Sequence, residues 1–358
     1  MTENEKNLFL ELCNFQNPNV NKIQNLTSDY ATPAVLGYLF FNRMQSIAYG
    51  VLKENKLLSH VNREFRNSLQ AAYQSNIKRN TDFFHCLDYL SIVLKNASCN
   101  FAMLKGALLC GIYPEGYRTS NDIDILVDPT DVTLLSKCLL EAGFKQGNTR
   151  NDVFVPATRR EVIESKITRG ETVPFVKELN LPEMKYLEVD INFSLDYKHT
   201  ETSALEHMLN NTTETKTGNN TIRTLSKYDF FIHLCCHLYK EATTLPWIEM
   251  KRDMTLYKYC DIYLLLDRFT SNDIKNLFYQ AEEYNLQDIC SSVIIWTADL
   301  FNIEKGYALE CAKKSLTDRS IPQIVVSPSE KTSYIYTVDN TKERFFCDNR
   351  KELLREVI

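Results

Sequence analysis

The sequence predicts an α+β protein in which a mixed sheet with helices is preceded and followed by helical regions. Two observations predict the sheet: polar and apolar residues alternate from Asp122 to Val127 and again from Leu187 to Leu195, as in strands that bury one face. A third observation predicts the helices. Apolar residues recur at helical spacing before the first of these strands, and no glycine or proline interrupts residues 51–105.

The composition is that of an ordinary globular protein, with 44% hydrophobic and 24% charged residues in a chain of 358. No apolar run reaches the roughly 20 residues of a membrane helix, and residues 1–30 lack the pattern of a signal peptide. Eleven cysteines without C-x-x-C spacing indicate reduced thiols. We therefore expect a cytoplasmic protein, and the net charge of −5 argues against broad nucleic-acid binding.

The chain is long for a single core, so we expect several substructures. The predicted division is an N-terminal helical region (1–98), a mixed core (99–225), a C-terminal helical domain (226–315) and a tail with short strands and a terminal helix (316–358). Within the first region, a single helix is predicted from Ala34 to Leu57. Within the core, residues 148–185 are predicted to form an insertion between the two alternating strands.

The first alternating strand carries two neighbouring acids, Asp122 and Asp124. Residues two apart on a strand point to the same face, with their Cα atoms about 6–7 Å apart. Neighbouring carboxylates repel each other, and a fold tolerates this best when a cation lies between them. The alternative interpretation is a solvated edge strand that happens to carry two acids.

The residues around this strand favour a cation site. In the second strand, Glu188 and Asp190 would share the polar face, so that strand offers a third carboxylate. Upstream, a short apolar strand from Phe101 ends at Lys105-Gly106, and a glycine turn there can bring backbone N–H groups close to phosphate oxygens. Acids on two strands beside a glycine turn form the layout of a two-metal site.

This combination resembles the nucleotidyltransferase fold of the DNA polymerase β superfamily, and more narrowly the bacterial "uncharacterised nucleotidyltransferase" family. The runs that carry the resemblance are Leu104-Lys105-Gly106, Arg118, Asn121 to Val127, and Asp190 to Leu195. Two positions depart from the family pattern. The usual Gly-Ser or Gly-Gly turn is Gly106-Ala107 here, which removes a hydroxyl that could bind a phosphate. A histidine often found two residues after the third acid is replaced by Asn192, which leaves the three acids untouched.

The resemblance implies a metal-dependent enzyme that moves an NMP from an NTP, expected to be ATP, to an acceptor hydroxyl with release of pyrophosphate. Asp122, Asp124 and Asp190 would be the catalytic acids and the ligands of two Mg²⁺ or Mn²⁺ ions. Glu188 is the rival of Asp190 because it shares the same strand face. The predicted nucleotide-binding residues are Lys105, Gly106, Arg118 and Asn121.

Further substrate contacts are predicted in two places. Glu188 and Asn192 lie on the polar face of the second acidic strand. The resemblance also implies that His237, Lys258 and Asp261, on the C-terminal helices, act on the nucleotide or the acceptor. The alternative for His237 is a hydrogen-bonded histidine between helices.

Two other functional classes fit parts of the pattern. A catalytically silent nucleotide-binding scaffold or partner module has no need for three close carboxylates. A metal-dependent phosphohydrolase would have histidines among its acids, and none lies between Lys105 and Leu195. The acceptor stays open, because a small molecule, a peptide, a protein hydroxyl and a tRNA end all suit the same core.

Overall fold

In the computed structural model, which describes residues 1–195, 202–327 and 332–357, the chain divides into two units. One unit comprises Met1–Tyr73 together with Phe231–Ile358, and the other comprises Gln74–Phe230. The four-part division made from the sequence stays a prediction.

Five helices begin the chain. They are α1 (Glu3–Cys13), α2 (Val20–Tyr30), α3 (Pro33–Phe41), α4 (Gln45–Glu54) and α5 (Arg63–Leu94). The prediction of one helix from Ala34 to Leu57 is wrong, because the chain breaks between α3 and α4, where Arg43 has φ +58°. Asn42 holds this break: its Nδ2 donates to the carbonyl of Tyr38 and its Oδ1 accepts from the N–H of Leu256, each at 3.0 Å.

The unit Gln74–Phe230 contains a six-stranded mixed sheet, which confirms the predicted α+β class. Its strands are β1 (Phe101–Met103), β2 (Asp122–Val127), β3 (Lys145–Arg150), β4 (Val153–Pro156), β5 (Phe175–Glu178) and β6 (Tyr186–Asn192). They lie in the order β1-β2-β6-β5-β3-β4. Strands β2 and β6 are parallel, and the other neighbours are antiparallel.

Most of α5 belongs to this unit, and further helices alternate with its strands along the chain. They are α6 (Gly106–Ile112), α7 (Val132–Glu141), α8 (Arg159–Arg169) and α9 (Thr202–Asn210), and a hairpin of β7 (Thr213–Thr217) and β8 (Asn220–Thr224) follows them. The segment 148–185 differs from the predicted insertion. It supplies β4 and β5 to the sheet, and β5 pairs directly with β6, because Phe175 and Val176 bury their side chains as sheet residues do.

The remaining helices and strands follow α9 and the hairpin. They are α10 (Lys227–Ala242), α11 (Leu245–Glu249), α12 (Leu256–Asp267), α13 (Ser271–Glu283), α14 (Gln287–Leu300), α15 (Tyr307–Ser315), β9 (Ile324–Ser327), β10 (Thr332–Tyr336), α16 (Thr341–Phe346) and β11 (Leu354–Val357). Strands β9 and β11 flank β10. The described part of the chain thus ends in a strand, where a terminal helix was predicted. Val325 and Tyr336 pack with Leu245 and Ile248 of α11, so this segment shares an apolar core with the helices.

None of the described helices is both long enough and apolar enough to span a membrane.

Candidate active site

Four carboxylates lie on one face of the parallel pair β2 and β6, which we call the acidic face. The register pairs Asp122 with Glu188 and Asp124 with Asp190. Neighbouring strands lie about 4.8 Å apart, so each pair brings two acids side by side. The opposite face is apolar, and Ile123, Ile125, Val189 and Ile191 are fully buried there. Because side chains alternate along a strand, burial of these four residues sets the acids on one surface.

Lys105 approaches the acidic face from the turn between β1 and α6. Its backbone has φ +46° and ψ −116°, a region that residues with a side chain rarely adopt. The N–H of Leu104 donates to the carbonyl of Asp124 at 2.9 Å, which fixes the chain just before the turn. The Lys105 Nζ then donates to Asp124 Oδ1 at 2.7 Å. The turn therefore delivers a positive charge to the acids.

Asn192, at the end of β6, contacts the same carboxylate oxygen. Its Nδ2 donates to Asp124 Oδ1 at 3.2 Å and lies 3.4 Å from the carbonyl oxygen of Asp190. Asn192 thus occupies the position where the family pattern often has a histidine, and here it orients Asp124.

Position 106 requires a glycine because Ser120 lies too close for any side chain there. A Cβ at this position would lie 2.0 Å from Ser120 Oγ and 2.6 Å from Ser120 Cβ, far inside van der Waals contact. The Ser120 hydroxyl also donates to the carbonyl of Asp122 at 3.3 Å. Gly106 therefore allows the loop before β2 to pack against the turn that carries Lys105, and a serine hydroxyl lies at this turn although residue 107 is alanine.

Burial and the neighbouring acids both disfavour a charge on Asp190. Burial, followed by repulsion from Asp122, Asp124 and Glu171, raises the pKa of Asp190 well above its usual range, and the attraction of Lys105 offsets only part of this. Burial of Lys105 disfavours its charge, but the attraction of Asp124 prevails and raises the pKa of Lys105. A further cation on this face would relieve the repulsion that Asp190 experiences.

Glu188 has a different environment from Asp190. Its carboxylate accepts a hydrogen bond from the Thr149 hydroxyl of β3. Burial raises the pKa of Glu188, and this hydrogen bond acts in the opposite direction. Glu188 is thus held toward the β3 side of the acidic face.

Glu171 is a further acid that the sequence analysis did not identify. It bridges to Asn192 in antiparallel register, and the N–H of Thr172 donates to the carbonyl of Ile191 at 2.9 Å. Arg169 forms an ion pair with Glu171 at 3.2 Å. Nothing in the local sequence marks Glu171, because its place depends on residues 170–172 aligning with the end of β6.

The loop before β2 is held by α5. Arg79 Nε donates to Asn121 Oδ1 at 3.0 Å, and its Nη1 donates to the carbonyl of Glu183 at 2.8 Å. The predicted nucleotide-binding Arg118 is buried, and its guanidinium donates to the carbonyl of Thr119. Arg79 was not identified from the sequence either, since α5 lies about 40 positions upstream of the acids without a shared motif.

The donor chemistry of the acidic face fits a divalent cation. Oxygen ligands, above all carboxylates, are those that Mg²⁺ and Mn²⁺ prefer, and Asp122, Asp124 and Asp190 supply carboxylate oxygens. Within residues 1–195, 202–327 and 332–357, however, no group of three or more histidine, cysteine, aspartate or glutamate side chains is arranged so that it could hold a metal ion. Lys105, rather than a third acid, is the nearest charged partner of Asp124.

The other three predicted contacts are His237 of α10 and Lys258 and Asp261 of α12, and they belong to the unit of Met1–Tyr73 and Phe231–Ile358. His237 Nε2 lies 3.5 Å from Glu241 Oε1, and Lys258 forms an ion pair with the same carboxylate. Glu241 and Asp261 are buried. Glu241 was not predicted from the sequence. It lies one helical turn after His237, so the two residues share one face of the helix.

The sequence resembles a nucleotidyltransferase, and the sheet places its acids on two parallel strands beside the turn that carries Lys105. The model of the family described as "Uncharacterised nucleotidyltransferase" matches residues 32–302, which is most of the chain. The chain therefore belongs to this family, and the predicted resemblance is confirmed. No curated protein matches the chain.

Proposed function

We propose that the chain transfers a nucleotidyl group from an NTP, ATP in the first instance, to an acceptor hydroxyl at the acidic face. In this reaction the acceptor oxygen bonds to the α-phosphorus, the bond from that phosphorus to the β-phosphate oxygen breaks, pyrophosphate leaves, and the hydroxyl proton passes to solvent. The observation that supports the proposal best is the register of β2 and β6, which brings Asp124 and Asp190 side by side.

Asp122, Asp124 and Asp190 would hold the divalent cation, Mg²⁺ or Mn²⁺. When bound, the ion neutralises charge on the phosphates and lowers the pKa of the acceptor hydroxyl. Burial, and after it repulsion from neighbouring acids, raises the pKa of Asp190. This supports the role, because a cation would offset both effects and stabilise the three carboxylates.

The protein's own groups do the positioning, which is the larger part of phosphoryl-transfer catalysis. Lys105 and Asn192 hold one oxygen of Asp124 and so fix the direction of the other. Lys105 and Arg118 would supply positive charge to the phosphates. Asn121 lies just before β2 and accepts a hydrogen bond from Arg79.

The substrate contacts on the C-terminal helices remain part of the proposal. His237, Lys258 and Asp261 would contact nucleotide or acceptor. The acceptor is a hydroxyl on a small molecule, a peptide, a protein or a tRNA end.

Incubation with each α-labelled NTP and a cell extract tests the proposal. We expect label in an acceptor, pyrophosphate release, a need for Mg²⁺ or Mn²⁺, and loss of transfer in Asp190→Asn. Asp128→Asn is the matched control, since Asp128 lies just after β2 and only caps the next turn through the N–H of Thr130. Nucleotide that binds without transfer would indicate the silent module, and hydrolysis of the NTP without a labelled acceptor would indicate a phosphohydrolase.

A further inference from the structure

We propose that Lys105 is a built-in cation of the acidic face, so that the site takes a single divalent ion where the sequence predicted two. This inference rests on the proposed function and refines it. Two side chains already donate to one carboxylate oxygen of Asp124 and so limit which of its oxygens a metal can reach.

Asp124 Oδ1 accepts from Lys105 Nζ at 2.7 Å and from Asn192 Nδ2 at 3.2 Å. A carboxylate oxygen offers about two lone-pair sites, so these donors use the capacity of Oδ1. A carboxylate that bridges two ions through its two oxygens needs Oδ1 and Oδ2 together. With Oδ1 engaged, Asp124 can offer only Oδ2 to a metal.

The position of Lys105 is built into the fold. The residue lies on the strained turn between β1 and α6, with the Leu104 N–H bonded to the carbonyl of Asp124 on one side. On the other side, the carbonyl of Lys105 accepts from the N–H of Leu109 at 2.9 Å as α6 begins. Strained backbone persists where the surroundings determine it fully, and it is common at functional sites. The side chain is only 18% exposed, so its ammonium is held at the acids.

The surroundings of Lys105 also suit a resident cation. Asp122 and Glu171 attract its ammonium in addition to Asp124. The ammonium thus offsets negative charge of these acids that a second divalent ion would offset in its place.

Mn²⁺ binding followed by electron paramagnetic resonance tests the inference with a readout that does not depend on turnover. Two Mn²⁺ ions at one site give a spin-coupled spectrum, whereas a single ion does not. We expect wild-type protein to bind one Mn²⁺ per chain without coupling, both alone and with α,β-methylene ATP. We expect Lys105→Met to bind two, with the coupled spectrum, because the substitution frees Asp124 Oδ1.

Lys177→Met is the matched control, since Lys177 lies in the same sheet but donates to the carbonyl of Ala142 rather than to a carboxylate. It should bind one ion. A coupled pair in wild-type protein would overturn the inference and leave the proposed function standing, and this measurement holds even if Lys105→Met does not fold. A folded Lys105→Met protein that binds one ion would also overturn it. Absence of Mn²⁺ binding in every variant would instead remove the metal site on which the proposed function depends.

Discussion

At the scale of single residues, Asp124 differs from the other acids because it already has a cationic partner. The Lys105–Asp124 pair is largely buried, with side-chain exposures of 18% and 7%. Removing one member of a buried ion pair leaves the other charge uncompensated. The pKa of Asp190, by contrast, is raised first by burial and then by repulsion from its acidic neighbours. Two acids one strand apart should therefore respond to neutralisation in opposite ways.

We predict that Asp124→Asn lowers the free energy of unfolding of the metal-free protein by about 3 kcal/mol, because Lys105 loses its carboxylate. Asp190→Asn should leave the melting temperature unchanged or raise it, since repulsion is removed. Both variants should lose nucleotidyl transfer. Thermal unfolding in EDTA compares them, and equal melting temperatures would contradict the assigned partnership of Lys105.

A second residue-scale prediction separates the two acids of β6. Asp190→Asn should lose turnover far more than nucleotide affinity, whereas Glu188→Gln should be mild, because Thr149 holds Glu188 toward β3. Measurement of kcat and of the Kd for the nucleotide in both variants checks this. If the two phenotypes are exchanged, Glu188 is the third catalytic acid.

At the scale of elements, the turn between β1 and α6 and the loop before β2 are packed together by one glycine and one serine. We predict that Gly106→Ala destabilises the protein by about 1–3 kcal/mol, as overpacking does, because the new Cβ meets Ser120. The double variant Gly106→Ala with Ser120→Gly should recover most of the melting temperature. If the single variant has the melting temperature of the wild type, the contact with Ser120 does not require a glycine at position 106.

The pair α10 and α12 shows how a proposed substrate contact can also be part of the scaffold. Lys258 and His237 both reach the buried Glu241. We predict that Lys258→Met lowers the melting temperature, because Glu241 loses its ammonium partner, and also lowers kcat, because Lys258 is a proposed substrate contact. Melting temperature and kcat are measured side by side, with Lys275→Met, on an exposed position of α13, as the control. An unchanged kcat in the folded fraction would mean that Lys258 stabilises the fold and does not contact the substrate.

At the scale of the whole molecule, a buried ion pair anchors the last segment of the chain within the unit of Met1–Tyr73 and Phe231–Ile358. Arg350 donates from Nε and Nη2 to the two carboxylate oxygens of Asp253, each at 2.6 Å, and Asp253 is fully buried. The ring of Phe345 stacks near Phe9 of α1 with centroids 6.0 Å apart. The two ends of the chain therefore belong to one core.

We predict that Arg350→Met costs about 3 kcal/mol of stability, because Asp253 is left buried without its partner. The double variant Arg350→Met with Asp253→Leu should be less destabilised than the single one, since neither charge remains. Denaturant unfolding of the three proteins measures the difference. A single variant as stable as wild type would mean that the pair does not anchor this segment.

Local sequence was enough to predict the two acidic strands, the lysine turn and the α+β class. Each depends on the period of apolar burial and on a short motif, and both can be read from consecutive residues. The same reasoning failed for the helix expected from Ala34 to Leu57. Asn42 ends α3 with the help of Leu256, and a partner more than 200 positions away leaves no mark on the local pattern.

The sequence alone determined which acids share a face, because side chains alternate along every strand. Only the tertiary structure decided which acids stand next to each other, since the parallel register of β2 and β6 pairs Asp124 with Asp190. The tertiary structure also places Glu171 beside Asn192 and Arg79 beside Asn121. Lys105 and Asn192 both donate to one oxygen of Asp124. These contacts join segments that are distant in the chain, and their geometry follows from strand order and packing rather than from any local pattern.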